Sequence, residues 1–438
     1  MTTISQQYSQ LTIDITNALS KDEKQQYGIF ITPKIIIEKL FDSIIEYIID
    51  QNIDIKYVLE PSCGTCEIVN YCNTKFDNIN IDAIEYNSTV FNAINTMPLT
   101  NNIKLYQQDF IQFTTTKKYD LIVTNPPYFV CEKGYPVKSD YQPYIQGRPN
   151  IFGLFILHSL SLIKPGGILA FIVPKSFLNS IYYSKIRNHI KKTCKIIQIL
   201  DFENDNKFID TQQATFGLIL YKLTQNNKAL FDCDYSMEIN DNFIFSSNAL
   251  ILKNIFQGST TLAKLGLQVK TGNVVWNQRK TELTDNKNET VLIYNTNLTK
   301  DHTIELRDFV SITNKRKENS KKKKKMDENH ADEDKPEEKR QYISMEGEMD
   351  PVLIVNRGNG NSKYKLNYAL VDFGPYLIEN HLNVVSSINP MKKEELIILY
   401  NKIMKSFKNE KTQMFINMFL GNNGLSKTEL ETIFPIYL

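Results

Sequence analysis

Apolar runs and helical patterns alternate through the first 225 residues, and this alternation restricts the fold more than any other feature of the sequence. Several of the runs are almost continuous in Ile, Leu and Val, as expected for strands that are covered on both faces. Strand–helix alternation predicts an α/β fold with a doubly wound, mostly parallel sheet. Seven strands are expected, at 56–61, 79–85, 103–108, 119–124, 167–174, 196–202 and 215–222.

The alternation ends near residue 245, where shorter strands and many Asn and Lys residues begin. We therefore expect two domains, an α/β domain over 1–245 and a mixed α+β domain over 246–438. Within the second, residues 315–340 contain no aromatic or branched aliphatic side chain, which predicts a disordered insertion. Its lysine run fits either a nuclear-localisation or DNA-contacting role or a solvated loop in which basic and acidic halves partly neutralise each other, and the solvated loop is preferred.

Composition excludes several classes of protein. The net charge of +2 means that a nucleic-acid surface would have to be a local patch. No apolar run approaches the ~20 residues that span a bilayer, and the N-terminus lacks a signal-peptide pattern, so a soluble, intracellular protein without a membrane partner is expected. The six cysteines are irregularly spaced, which predicts no disulfide framework. Cys63 and Cys66 lack a second ligand pair, so no metal is predicted.

Polar residues follow three successive predicted strands, at the sheet edge where open α/β folds bind ligands. The small residues 62–64 allow close approach of the backbone to a ligand. Glu85 can accept hydrogen bonds from ribose hydroxyls. Asp109 can accept from an amino group, and Phe110 can stack on an aromatic ring. Each residue alone fits a structural role equally well, but their order predicts a site for a nucleoside cofactor.

The fourth predicted strand ends in the sequence Asn-Pro-Pro-Tyr at 125–128. Pro126 and Pro127 have no backbone N–H and stiffen the turn. The carbonyl oxygen of Pro126 and the side-chain oxygen of Asn125 then form two fixed acceptors, which suit one planar NH2 group. Tyr128 can stack on the group that carries this amine. The corner predicts a pocket for an amino group on a flat heterocycle or an amide.

A series of short motifs runs in order between residues 27 and 222: GIFITPK (28–34), LEPSCGT (59–65), IEYN (84–87), QDF (108–110), NPPY (125–128), GRPNIFGLF (147–155), KPGGILAFIVPKSFLNS (164–180) and KFIDTQQATFGLILYK (207–222). This series resembles the gamma-class, Taq-type DNA adenine-N6 methyltransferases, which use S-adenosylmethionine. The resemblance implies a seven-stranded, Rossmann-like methyltransferase domain. It also places the C-terminal half where the family keeps its target-recognition domain.

The resemblance further implies a role for each matched residue. Glu85 would hold the cofactor ribose, and Asp109, Phe110 and Phe155 would surround its adenine. Asn125 and the Pro126 carbonyl would bind the target amine. The methionine side of the cofactor would be lined by Thr32, Pro33, Glu60, Ser62, Cys63 and Gly64, and the target base would stack between Tyr128 and Phe208. Cys66 departs from the glycine of many relatives, and its side chain would crowd the cofactor unless the loop turns outward.

By the same resemblance, the chain would methylate an adenine flipped out of double-stranded DNA, as the modification enzyme of a restriction-modification pair. Arg279, Lys280, Arg357 and Lys363 are candidate DNA contacts, although solvated charge explains each of them equally well. A monomer is expected, and a separate restriction endonuclease partner stays open. The alternatives are an amino-methyltransferase acting on RNA adenine or protein glutamine, and a non-catalytic DNA-binding relative.

Overall fold

The computed structural model describes residues 8–19, 32–202, 214–225, 234–240, 242–307, 339–358, 364–420 and 424–438. The chain divides into two compact units, Met1–Leu250 and Ile251–Leu438. Phe208, Lys363 and positions 315–338 of the expected insertion lie outside the described residues.

The first unit is built on a seven-stranded sheet whose strand order is 3-2-1-4-5-7-6. Strands 1 to 5 pair in parallel, whereas the seventh strand runs antiparallel between the fifth and the sixth. The doubly wound, Rossmann-like methyltransferase fold predicted from the sequence is thereby confirmed. The strands are β1 (Tyr57–Glu60), β2 (Asn80–Glu85), β3 (Ile103–Gln107), β4 (Tyr119–Thr124), β5 (Ile163–Pro174), β6 (Cys194–Asp201) and β7 (Thr215–Lys222).

Successive strand residues point into two separate cores. In β4, Leu121 and Val123 join one apolar cluster, whereas Ile122 between them joins the other. This alternation follows from the period of two in a strand, and it explains why the strands are apolar on both faces. Around the sheet lie helices α1 (Gln10–Ala18), α2 (Lys34–Gln51), α3 (Glu67–Lys75), α4 (Ser88–Asn95), α5 (Ile151–Leu162), α6 (Ser176–Asn179) and α7 (Ser184–Thr193), followed by the hairpin β8 (Ser236–Ile239) and β9 (Asn242–Phe245).

The sequence predicts a helix over 32–50 with Thr32 at the N-cap and Pro33 as its first helical residue, but α2 starts one residue later. Pro33, and not Thr32, occupies the N-cap position, and it makes no side-chain cap. The hydroxyl of Thr32 is instead bonded to Asn125. The expected N-cap was therefore wrong, because the threonine is used in a tertiary contact.

The second unit contains two four-stranded sheets and a C-terminal group of helices. One sheet, of order 10-17-14-15, is antiparallel. The other, of order 11-13-12-16, includes one parallel pair. The strands are β10 (Leu267–Thr271), β11 (Leu283–Thr284), β12 (Thr290–Ile293), β13 (Tyr342–Ile343), β14 (Val352–Asn356), β15 (Tyr368–Val371), β16 (Tyr376–Ile378) and β17 (Leu382–Ser387), and the helices are α8 (Ala249–Phe256), which contains the division point, α9 (Lys393–Phe407), α10 (Glu410–Phe415) and α11 (Lys427–Thr432). Among the described residues, none of the helices combines the length and the apolar character needed to cross a membrane.

Candidate active site

The carboxyl ends of the first four strands lie side by side and border a cavity of about 780 Å³. Parallel pairing aligns these ends, with Glu60 opposite Ala83 and Glu85 opposite Gln107. The volume falls within the roughly 300–1,000 Å³ typical of small-molecule sites. The structure brings most of the predicted site residues to this cavity: Thr32, Ser62, Cys63, Gly64, Glu85, Asp109, Phe110, Asn125, Pro127 and Phe155.

The loop after β1 is fixed to the neighbouring strand ends. Cys63 donates its backbone N–H to the Ile84 carbonyl oxygen (2.8 Å), and Gly64 donates to Glu85 Oε2 (2.9 Å). On the other side, the Ser62 hydroxyl donates to the Asn125 carbonyl oxygen (3.1 Å). Gly64 has φ of +50°, a conformation that glycine adopts without strain. The loop backbone therefore forms one wall of the cavity.

The buried carboxylate of Glu85 is held by backbone amides. Oε2 accepts from Gly64 and Oε1 accepts from the N–H of Asn87 (2.7 Å). Burial raises the pKa of Glu85 above its ordinary value, and the amide donors oppose this rise. A carboxylate offers about four lone-pair sites, so two backbone bonds leave acceptor capacity for hydroxyl groups in the cavity.

Four predicted site residues lie elsewhere than in the cavity lining, namely Pro33, Glu60, Pro126 and Tyr128. Glu60 is fully buried, and Ser62 donates its N–H to Oε1 (3.3 Å). Burial raises the pKa of the Glu60 carboxyl well above its ordinary value. Its Oε2 atom has no hydrogen-bond partner within the described part of the chain. Such a carboxyl suits a site that receives a cationic ligand group.

After β3 comes a short 3-10 helix, Phe110–Gln112, with Asp109 at its N-cap position. Asp109 Oδ1 accepts from the N–H of Ile111 (2.9 Å), and Oδ2 accepts from the hydroxyl of Tyr135 (2.7 Å). The Phe110 ring packs between Phe155 and His158, with centroid distances of 4.8 and 4.6 Å. Burial lowers the pKa of His158 from 6.5 to about 4, so this neighbour is a neutral ring at physiological pH. The acceptor and the aromatic ring predicted for an adenine therefore lie at one end of the cavity.

The Asn125 side chain is oriented by two other side chains. Its Nδ2 donates to Thr32 Oγ1 (3.1 Å), and its Oδ1 accepts from the Tyr128 hydroxyl. That hydroxyl also lies 2.8 Å from the Ile172 carbonyl oxygen. Burial raises the pKa of Tyr128 well above its ordinary value, which keeps its proton in place. These contacts fix the orientation of the amide.

Cys66 does not crowd the cavity. Its backbone is left-handed (φ 65°, ψ 23°) at the N-cap of α3, and its side chain is fully buried in the core beneath the loop. The left-handed conformation is the reason that glycine suits this position. The loop thus turns the sulfur away from the ligand space. No metal-ligand cluster of His, Cys, Asp or Glu occurs in the part of the chain that the structure describes.

Sequence reasoning missed the segment that follows the corner. Residues 129–136, which we term the post-corner segment, supply a large part of the cavity lining, including Lys133 and Tyr135. Thr65 and Glu67 also line the cavity, and both contact Thr12 of α1. The one feature of the sequence that could have indicated this segment is its position directly after Tyr128. The further lining residues are Pro61, Ile68, Tyr86, Asn87, Gln108 and Ile151.

The candidate DNA contacts lie in the second unit. Arg279 and Lys280 are exposed, and Arg279 forms an ion pair with Glu282 (3.0 Å). Arg357 is half-buried and donates to the Asn380 carbonyl oxygen (2.9 Å). Their role in binding DNA stays a prediction.

With this geometry in place, comparison with known proteins shows which proteins the chain resembles. Residues 24–208 match the sequence profile of the Eco57I restriction-modification methylases. The match covers 185 of the 438 residues, in the part of the chain that contains the seven-stranded sheet. The chain is accordingly a DNA methyltransferase of the restriction-modification type, as the ordered motifs predicted.

Full-length relatives extend beyond the methylase domain. The chain is 26% identical to modification methylase CviBIII of Paramecium bursaria Chlorella virus NC1A, over 99% of each protein. It is 23% identical to type II methyltransferase M.CvrRI of Paramecium bursaria Chlorella virus XZ-6E, over 97% of this chain and 98% of that protein. Among solved structures, the type IIG restriction endonuclease BpuSI aligns with 98% of this chain and 60% of its own, with 10% identity and a TM-score of 0.41.

Proposed function

We propose that the chain transfers a methyl group from S-adenosylmethionine to the N6 amino group of an adenine flipped out of double-stranded DNA. The observation that carries this proposal is the orientation of the Asn125 amide beside a cavity bordered by the Glu85 and Asp109 carboxylates. The names of the full-length relatives, a modification methylase and a type II methyltransferase, support a DNA target.

The residues of the cavity fit the cofactor. Glu85 offers lone pairs to ribose hydroxyls, and Asp109 offers them to an exocyclic amine beside the Phe110 and Phe155 rings. The Glu60 carboxyl lies beneath the loop, and a cationic group of the cofactor nearby would favour its ionisation, which burial alone opposes. When bound, S-adenosylmethionine supplies an electrophilic methyl group.

The corner would activate the acceptor. The lone pair of an adenine amine is delocalised into the ring, which makes the amine a poor nucleophile. Asn125 Oδ1 and the Pro126 carbonyl oxygen accept its two hydrogens, and this holds the amine where its lone pair faces the methyl group. Thr32 and Tyr128 keep the amide from rotating. The chain therefore contributes orientation and preorganised dipoles to a direct displacement.

The target base would leave the duplex to reach this corner, which costs a few kcal/mol of unstacking. Stacking on Tyr128 and Phe208 would recover about 1–3 kcal/mol per ring. The second unit would act as the target-recognition domain, with Arg279, Lys280, Arg357 and Lys363 reaching phosphates or base edges.

The substitution Asn125→Ala tests the proposal. It removes one acceptor, so methyl transfer to duplex DNA should fall by at least about 100-fold, while calorimetric binding of S-adenosylhomocysteine stays unchanged. Transfer of a tritiated methyl group measures the first quantity. Asn92→Ala, on the exposed face of α4, is the matched control and should behave as wild type.

Duplex DNA, structured RNA and unfolded protein, offered in parallel, identify the acceptor. Label on adenine N6 of duplex DNA is the expected result. Label on RNA or on glutamine would replace the DNA assignment with one of the alternative acceptors. Failure of the wild-type protein to bind S-adenosylhomocysteine would favour a non-catalytic relative.

A further inference from the structure

The post-corner segment connects the two ends of the cavity. Near its start, Cys131 donates its N–H to the Pro149 carbonyl oxygen (2.8 Å), and the Phe129 carbonyl oxygen accepts from Ile151 (2.9 Å). Near its end, the Pro136 carbonyl oxygen accepts from Gln112 Nε2 (3.1 Å). The segment therefore runs from the amine corner to the short 3-10 helix that Asp109 begins.

Tyr135 is the point at which this segment meets a predicted cofactor ligand. A turn closed by its N–H and the Glu132 carbonyl oxygen (3.1 Å) presents the side chain to Asp109 Oδ2 (2.7 Å). Tyr135 lines the cavity, and its hydroxyl donates to the Asp109 carboxylate. Burial raises the pKa of Tyr135, so the hydroxyl remains a donor.

Both oxygens of Asp109 are thereby held. Ile111 N–H fixes Oδ1 and Tyr135 fixes Oδ2, so rotation of the carboxylate would break one of two bonds. Each oxygen keeps a second lone pair. Because Asp109 lines the cavity, these lone pairs are available to a donor inside it, and a carboxylate without protons cannot donate to an acceptor there.

We propose that Tyr135 is a positioning residue for cofactor recognition: its hydroxyl fixes the Asp109 carboxylate to accept from the 6-amino group of the cofactor purine, and so it sets the preference for a 6-amino over a 6-oxo purine. This inference rests on the proposed function, because it takes S-adenosylmethionine as the ligand. Without the hydroxyl the Asp109 carboxylate can rotate, and the preference for a 6-amino over a 6-oxo purine then falls.

Calorimetry with two ligands tests the role. S-adenosylhomocysteine carries the 6-amino group, and S-inosylhomocysteine carries a 6-oxo group in its place. Tyr135→Phe should weaken the first ligand about tenfold and leave the second nearly unchanged, so the ratio of the two dissociation constants narrows about tenfold. Tyr106→Phe removes a hydroxyl that lies 3.4 Å from Asp82, away from the cavity lining, and should preserve the ratio.

Measuring Tyr135→Phe in a second variant, Asp109→Asn, distinguishes a positioning role of Tyr135 from a general loss of ligand binding. In Asp109→Asn the acceptor is altered, so adding Tyr135→Phe should change the ratio no further. Two results would overturn the inference. One is an equal loss of affinity for both ligands in Tyr135→Phe. The other is the same change in the ratio of dissociation constants when Tyr135→Phe is added to wild type and to Asp109→Asn. Thermal unfolding without ligand checks that each variant is folded. If wild type binds neither ligand, the proposed function fails, whereas tight binding with an unchanged ratio in Tyr135→Phe refutes the role of Tyr135 alone.

Discussion

The two ends of the cavity hold their polar groups by different means. At the cofactor end, both oxygens of Glu85 accept from backbone amides, and one oxygen of Asp109 does so as well. At the corner, the Asn125 amide is held by the hydroxyls of Thr32 and Tyr128. Backbone donors persist through substitution, whereas a hydroxyl is lost with its side chain. Glu85 should therefore withstand changes in neighbouring side chains, whereas Asp109, which also depends on the Tyr135 hydroxyl, and the corner should not.

The largest effect expected on cofactor affinity separates the two ends of the cavity. Glu85→Gln places an amide NH2 against the N–H of either Gly64 or Asn87, so one pair of donors must face each other. Affinity for S-adenosylhomocysteine should fall about 10- to 100-fold, while kcat at saturating cofactor stays within a few-fold of wild type. Calorimetry and steady-state kinetics measure the two quantities. A loss confined to kcat would show that Glu85 acts in methyl transfer, as the corner residues do, and would contradict the distinction between the two ends.

At the corner the pattern should reverse. Tyr128→Phe keeps the ring for stacking but removes the hydroxyl that orients Asn125. We expect kcat to fall about tenfold through loss of orientation, with cofactor affinity unchanged. Tyr119→Phe, which removes a buried hydroxyl bonded to Asp82 (2.7 Å), is the control for loss of a buried tyrosine hydroxyl. Weaker binding of S-adenosylhomocysteine by Tyr128→Phe would contradict the assignment of Tyr128 to the target side.

The buried Glu60 carboxyl gives a pH signature. Its folded-state pKa lies above its unfolded value of about 4.5, so below pH ~4.5 both states are protonated and there is no penalty. As the pH rises towards the folded-state pKa, the unfolded state ionises first and the folded state loses stability. Glu60→Gln removes this loss, so its midpoint temperature relative to wild type should rise between pH 5 and pH 8. A difference that shrinks with rising pH would show that ionised Glu60 stabilises the free protein.

The smallest effect concerns the loop backbone. At Cys66 the left-handed conformation favours glycine over alanine by about 1 kcal/mol, so Cys66→Gly should unfold at a higher urea concentration than Cys66→Ala. The buried thiol is lost in both variants, which makes alanine the matched reference. Greater stability of the alanine variant would show that the loop relaxes out of the left-handed conformation.

The sequence predicted those features that depend on position along a strand. Glu85 ends β2, Asp109 and Asn125 follow β3 and β4, and parallel pairing brings such residues to one edge. The direction of the Cys66 side chain depends on a backbone angle that residue type does not disclose. Tyr135 escaped prediction because a loop must fold back onto the end of another strand before its hydroxyl meets Asp109. Glu60 ends β1, within the expected strand, but its burial below the cavity depends on packing.

The backbone bonds of the loop after β1 bear on how such a site changes over time. The peptide groups of Cys63 and Gly64 reach Ile84 and Glu85 whatever side chains the loop carries. Substitutions can therefore change the side chains of this turn during evolution. The path of the main chain, and with it the binding of the cofactor, would stay the same. The thiol of Cys66, at a left-handed position that glycine would adopt without strain, is the kind of side chain that this arrangement tolerates.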